Sequence, residues 1–295
     1  MRAGFIGLGN QGLPMARRIA SGGISTTIWA RRESVATAAS EWGADVAKTP
    51  ADLGAACDVI GICVFDAAGV EEVLFGTAGV IEGMAPGGVI TVHSTVSPRE
   101  IERIAEHAEQ HRITILDAPV SGGPLAAEAG ELLVLLAGPA PAAERAIPII
   151  SCYAGRIARF PKVGTAQLAK LLNNALLAAQ VALVADAIRL GQEHGVGDGL
   201  FDVFKVGSAR SYASELFAAF GSIETLARSQ FTVTMDKDVR LLLDALGTAD
   251  AESPLLNTAI NFTRQFDVGS GSVPTLDRTD PEPDAIKSPG SNRRV

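Results

Sequence analysis

The segment Gly7-Leu8-Gly9-Asn10-Gln11-Gly12 constrains the fold more than any other stretch. It is a G-x-G-x-x-G that directly follows the apolar run Ala3–Ile6 and opens a helical pattern, Gly12–Ser21. In a strand–turn–helix setting the first glycine permits the tight turn. The second lets a pyrophosphate approach the backbone, and the third lets helix and strand pack closely. The helix N-terminus adds free NH groups and a partial positive charge. Gly7, Leu8, Gly9, Asn10, Gln11 and Gly12 are therefore candidate dinucleotide-binding residues. A tight turn that binds nothing is the competing reading.

Up to about residue 162 the chain continues in the same style. Apolar runs at Thr26–Trp29, Asp58–Val64, Val89–Val92, Ile113–Leu116, Leu132–Ala137 and Arg156–Phe160 are predicted strands. Helix-length segments lie between most of them. Pro98–His111 is one, with Ser97 as N-cap, Pro98 at the first helical position and Glu100 three residues after the cap. Strand–helix alternation predicts an α/β, Rossmann-type, doubly wound parallel sheet over residues 1–162. From residue 163 to 268 the pattern turns all-helical. Thr165–His194 is one long Ala- and Leu-rich helix, followed by Gly199–Val206, Ala213–Phe220, Phe231–Leu246 and Pro254–Phe266. Residues 269–295 are rich in Pro, Gly and Ser and read as a flexible tail in which Asp277, Asp280, Glu282 and Asp284 balance Arg278, Lys287, Arg293 and Arg294.

The end of the second strand selects the cofactor. An NAD-binding fold places Asp or Glu there, about 20 residues past the glycines, for the ribose 2′-hydroxyl. This chain reads Ile28-Trp29-Ala30-Arg31-Arg32-Glu33. The acid is replaced by Ala30, and two guanidinium groups follow, which can hold a 2′-phosphate in a forked geometry. NADP(H) is expected over NAD(H), with Arg31 as the main contact and Arg32 beside it. Solvated arginines at a helix start, with Glu33 facing the ribose, are the alternative.

Two further stretches bear on chemistry. In Asp117-Ala118-Pro119-Val120-Ser121-Gly122-Gly123, two glycines behind a serine can expose backbone NH groups as a nest for a carboxylate, or simply turn a loop. In Lys170-Leu171-Leu172-Asn173-Asn174, Lys170 and Asn174 share a helix face. A lysine among leucines loses solvation, which moves its pKa toward the range of proton transfer. A snorkelling lysine beside a satisfied core asparagine is the competing reading.

The stretches GFIGLGNQGLPMA, HSTVSP (93–98), DAPVSGG (117–123), GTAQLAKLLNN (164–174) and MDKDV (235–239), in that order, resemble the β-hydroxyacid dehydrogenase family, which includes NADP-dependent 3-hydroxyisobutyrate dehydrogenases. The resemblance spans about the first 245 residues. It implies a Rossmann-type domain joined by a long helix to an all-helical domain, assembled as a homodimer or homotetramer. It also implies Lys170 as the catalytic acid/base and Asn174 as its partner in holding substrate. Ser121, Gly122 and Gly123 become the carboxylate-binding loop, and Thr95 and Lys237 lie beside the cofactor. Where the family often has Asp-Met, this chain has Val92-His93; His93 is expected to be a packed or solvated residue.

The implied activity is hydride exchange between NADP(H) and a small β-hydroxyacid or short aldehyde acid, of the 3-hydroxyisobutyrate, tartronate semialdehyde, glyoxylate or succinic semialdehyde type. An imine reductase is the alternative enzyme, although such proteins generally lack the lysine that stands here at Lys170. A non-catalytic binding module on the same fold is the alternative from another class. Phe231 and the Ser211–Tyr212 region are candidates for the substrate pocket. Composition narrows the partners. The net charge of −8 gives no attraction for phosphate backbones, so no nucleic-acid partner is expected. No uninterrupted apolar run reaches about 18 residues, and no signal peptide or membrane span is expected. Three scattered cysteines fit a reducing, cytoplasmic setting. No metal site is expected, and His107 and His111 read as a solvated helix face.

Overall fold

The computed structural model describes residues 1–197, 199–247 and 253–266. The tail expected from Gly269 lies outside the described residues. The chain divides into two compact units, one over Met1–Lys170 and one beginning at Leu171.

The first unit runs β1 (Ala3–Ile6), α1 (Gly12–Ser21), β2 (Thr26–Trp29), α2 (Glu33–Ser40), β3 (Asp45–Val46), α3 (Pro50–Ala56), β4 (Val59–Ile62), α4 (Ala67–Phe75), α5 (Val80–Gly83) and β5 (Val89–Val92). It continues through α6 (Pro98–Glu109), β6 (Thr114–Asp117), β7 (Val120–Ser121), α7 (Gly123–Ala129), β8 (Leu132–Ala137), α8 (Ala140–Ile150) and β9 (Ala154–Phe160), and ends in the first turns of α9 (Thr165–Glu193). The sheet order is β3-β2-β1-β4-β5-β6-β8-β7, with β9 on β8. The strands from β1 to β6 are mutually parallel, as the alternation predicts. β8 reverses the rule: it is antiparallel to β6 and β7 and parallel to β9. The sheet is therefore parallel-dominated and mixed, a Rossmann-type layer with helices on both faces.

β1, β4 and β5 are buried at every position, which is why they read as continuous apolar runs. Successive residues point to opposite faces. Phe5 accordingly packs with Met15, Ile19 and Ile28, and its neighbour Ile6 with Leu53, Ile60 and Leu74 on the other side. The capping box of α6 forms as its sequence predicts, with Ser97 Oγ accepting from the Glu100 NH at 3.2 Å and Glu100 returning the bond at 2.8 Å. β3 and β7, two residues each, are too short to leave a periodic signal. The run at Asp58–Val64 pairs only over Val59–Ile62, because Cys63 and Val64 turn toward the glycine loop.

The second unit holds the rest of α9, then α10 (Gly199–Val206), α11 (Tyr212–Phe220), α12 (Ile223–Ala227), α13 (Gln230–Leu246) and α14 (Pro254–Gln265), with no strand among the described residues. By length and composition α9 could cross a membrane. Half of its apolar window is buried within this chain. Lys170, Asn173, Asn174, Gln180 and Asp186 interrupt that run, so reading residue by residue does not single it out.

Candidate active site

In the first unit the glycine loop lies at the crevice where the strand order reverses. From β1 the chain builds β2 and β3 on one side and then crosses to β4 on the other. Ligands of open α/β sheets bind at such points, beyond the carboxyl ends of the strands. Gly7 has φ +93°, and a Cβ there would lie 2.1 Å from the Cys63 carbonyl oxygen. A Cβ on Gly12 would lie 1.9 Å from the Gly7 carbonyl oxygen. Gly9 differs: nothing stands within 4 Å of its missing Cβ, and the residue is exposed. The two outer glycines are required by the turn itself, while the middle one opens a bare stretch of backbone that a pyrophosphate fits. Leu8 is buried and Asn10 exposed. Gln11 Nε2 donates to the Gly123 carbonyl at 3.4 Å, so this loop neighbours the Ser121–Gly123 loop. Arg31 and Arg32 follow β2 and are exposed, and Arg32 stands at the N-cap of α2.

Ser121 ends β7, and Gly122 and Gly123 follow with φ +132° and +74° as α7 begins. Two successive positive φ values turn the backbone sharply around half-buried Ser121. Thr95 lies just past β5, half-buried, between the buried Ser94 and Val96. Ser94 Oγ accepts from the Val64 NH at 2.9 Å. Lys170 is 8% exposed, in the second turn of α9. The first turn of α9 is anchored by Asp117, the last residue of β6, whose Oδ2 accepts from the NH groups of Gly164 at 3.1 Å and Gln167 at 3.0 Å. Its Oδ1 is buried without a hydrogen-bond partner. Burial pushes this carboxyl up to about 7 against the pull of those NH donors.

His93 is a packed residue. Its Nδ1 lies 2.7 Å from the Ala118 carbonyl, which can only accept, so Nδ1 carries the proton. Nε2 then accepts from Tyr153 OH, 3.1 Å away, with Thr91 Oγ1 at the same distance. Burial pushes the imidazole down to about 4 and keeps it neutral.

In the second unit Asn174 is buried on α9, one helical turn beyond Lys170. Its Nδ2 donates to Asp238 Oδ2 at 2.6 Å, and its Oδ1 accepts from Asn173 Nδ2 at 3.0 Å. Asp238 is fully buried on α13, and Lys237 Nζ lies 3.2 Å from its Oδ1 as an ion pair. Ser211 is engaged in capping α11, where its Oγ accepts from the Ser214 NH. Asp117, Gln167 and Asp238 are the polar residues that local sequence reading did not single out. Each stands inside a quoted motif, but the hydrogen bonds that hold it reach 47 to 73 positions away.

Residues 2–162 match the family model described as the NAD binding domain of 6-phosphogluconate dehydrogenase. Residues 164–275 match the one described as the NAD-binding of NADP-dependent 3-hydroxyisobutyrate dehydrogenase. The chain belongs to the β-hydroxyacid dehydrogenase family. Among curated relatives of this β-hydroxyacid dehydrogenase, the "Probable 3-hydroxyisobutyrate dehydrogenase, mitochondrial" of Dictyostelium discoideum is 32% identical, over 82% of this chain and 78% of that protein. The L-threonate dehydrogenase of Cupriavidus necator is also 32% identical, over 72% of each. Among solved structures, the 3-hydroxyisobutyrate dehydrogenase of Mycobacterium tuberculosis with L-serine superposes with a TM-score of 0.78 at 27% identity, covering 90% of this chain and 94% of that one. The β-hydroxyacid dehydrogenase described here is thus an oxidoreductase acting on CH–OH groups with a nicotinamide cofactor.

Proposed function

We propose that this β-hydroxyacid dehydrogenase uses NADP(H) to interconvert a small β-hydroxyacid and its carbonyl form, with Lys170 as the acid/base. Nicotinamide, when bound, supplies or takes up the hydride. Lys170 gives its proton to the oxygen of the substrate carbonyl in reduction and recovers it from the hydroxyl in oxidation. Asn174 orients the substrate oxygen without adding charge. The NH groups and hydroxyl of Ser121–Gly123 hold the carboxylate and so fix which carbon reacts. The Gly7–Gly12 loop would take the pyrophosphate and Arg31 and Arg32 the 2′-phosphate, and Thr95 and Lys237 are the further residues assigned to the cofactor. The relatives' names point to three- and four-carbon hydroxyacids such as 3-hydroxyisobutyrate, L-serine and threonate.

The observation that carries this reading is the burial of Lys170 on a helix face it shares with Asn174, in a chain of this family. Burying an ammonium costs too much to serve solubility alone. For the cofactor, support comes from the missing acid after β2 and the two exposed guanidinium groups in its place. We place the enzyme in the cytoplasm as a homodimer or homotetramer, with no nucleic-acid or membrane partner. Leu172, Leu176, Leu183 and Leu190 are 39–61% exposed at spacings of four and seven along α9, an apolar stripe suited to a second copy.

The test is turnover followed at 340 nm over a panel of 3-hydroxyisobutyrate, L-serine, threonate, glyoxylate, tartronate semialdehyde and succinic semialdehyde. Lys170→Ala should cut kcat by about 10²–10⁴-fold and leave NADPH affinity within a few-fold. Turnover preserved in K170A would sink the assignment. Arg31→Ala should weaken NADPH by about tenfold or more and NADH hardly at all. An unchanged preference removes Arg31 from the account.

A further inference from the structure

Three buried polar side chains close a triangle at the carboxyl ends of β5 and β6. His93, one residue past β5, donates from Nδ1 to the Ala118 carbonyl just past β6, at 2.7 Å. Asp117, at the end of β6, accepts from the Gly164 and Gln167 NH groups at the start of α9. Gln167, fully buried, reaches back from α9: its Nε2 donates to the Ser94 carbonyl at 2.9 Å, and its Oε1 accepts from the Val96 NH at 3.1 Å. The end of β5 is thereby tied to the end of β6, the end of β6 to α9, and α9 to the loop after β5.

The groups assigned to substrate and cofactor stand at the three corners. Thr95 lies between the two backbone groups that Gln167 grips. Ser121–Gly123 begins four residues after Asp117. Lys170 follows Gln167 by three, on the same helix face. The backbone ladder already joins β5 to β6, so the sheet does not need these side chains. Buried polar groups are costly unless paired, and an apolar trio of similar volume would hold the layers together at least as well. What such a trio could not do is fix distances between three segments, because apolar contacts are not directional.

We propose that Gln167, Asp117 and His93 are positioning residues that set the relative placement of Thr95, Ser121–Gly123 and Lys170. The inference rests on the acid/base role assigned to Lys170. Gln167→Met keeps the length of the side chain and removes both of its bonds. With the panel substrate of highest kcat/KM, Q167M should lower kcat by about 100-fold, the size expected of a misplacement near 1 Å, with KM for NADPH within about threefold. The deuterium isotope effect on kcat with 4-deuterated NADPH should rise, since hydride transfer becomes the slow step. A purely structural role would lower the melting temperature and leave kcat per folded molecule and the isotope effect unchanged, and that result overturns the proposal. His93→Met should act in the same direction, and His93→Asn, whose amide nitrogen stands two bonds from Cβ as Nδ1 does and can still donate to the Ala118 carbonyl, should restore most of the lost turnover. Failure of both Q167M and H93M to fold would assign the trio to the fold and overturn the proposal as well. K170A, assayed alongside, separates the two readings. If K170A turns over like the parent enzyme, the acid/base assignment falls and the positioning role with it. If K170A is inert and Q167M is unaffected, the positioning role alone falls.

Discussion

In the first unit, Gly9 and Thr95 follow the ends of β1 and β5 among six mutually parallel strands and Ser121 ends β7, held antiparallel on β8, whereas in the second, Asn174 and Lys237 stand on helices and meet through the side chain of Asp238. A strand end is fixed by the backbone, so its residue can present an NH or a bare Cα and still be in place. A helix face fixes only one axis. Its side chains need partners to choose among rotamers, and Asn174 has two, Asn173 and Asp238. The lesson is that backbone-placed groups tolerate no added volume where the turn is tight, while side-chain-placed groups tolerate no loss of a partner.

The strongest way to break that contrast is inside the glycine loop. Gly12→Ala puts a methyl group 1.9 Å from a backbone oxygen that cannot move without the turn moving. A loss of about 3 kcal/mol or more is expected, in the range of overpacking at its severe end, read as a drop in the urea midpoint. Gly9→Ala meets nothing within 4 Å. It should leave the midpoint within about 0.5 kcal/mol and cut NADPH affinity instead, by occupying the space a pyrophosphate needs. If G9A and G12A behave alike, the outer and middle glycines do not have separate roles.

The next test concerns the buried titratable pair of the first unit. Below pH 6.5 an unfolded chain protonates the His93 imidazole, while the folded one resists until about 4. Its contribution is full above 6.5 and is lost as the pH falls through 4, about 3 kcal/mol for a gap of that size. Asp117 runs the other way. Unfolded, it releases its proton near 3.8; folded, it keeps it up to about 7. Its contribution is full below 3.8 and is lost as the pH rises through 7. Between pH 4 and 6.5 the two slopes oppose, and the parent protein should show little net change from this pair. His93→Gln should make stability rise as the pH falls from 7 to about 4.5, and Asp117→Asn should make it fall, both read from urea midpoints. Slopes of the same sign in the two variants would contradict the burial of one group or the other.

Much of the first unit is legible from its residues because its constraints are local. The glycine spacing, the continuous apolar strands and the Ser97–Glu100 box each declare themselves within six residues. The reversed β8 is not legible, since strand direction depends on what the chain passes on its way back. Lys170 and Asn174 are legible as a shared helix face, but their setting is not. Asp117, which anchors that helix, is 50 residues from Gln167, and Asp238 is 64 from Asn174. An acid in Asp-Lys-Asp reads as one more solvated charge until the fold buries it.

Asp238 gives the smallest and most local test, in the second unit. Asp238→Asn keeps an oxygen for Asn174 to donate to and removes the charge beside Lys237. Because the Lys237 side chain is 22% exposed, water recovers part of what its ammonium loses. The expected cost is therefore about 1–2 kcal/mol, below that of breaking a fully buried pair. Hydrogen exchange should locate it: amides of α9 beyond Leu171 and of α13 should exchange faster, and those of β1, β4 and β5 should keep their protection. A variant that loosens both sets equally would mean that the chain unfolds as one cooperative body. The contrast between a backbone-placed and a side-chain-placed half would then describe geometry without describing stability.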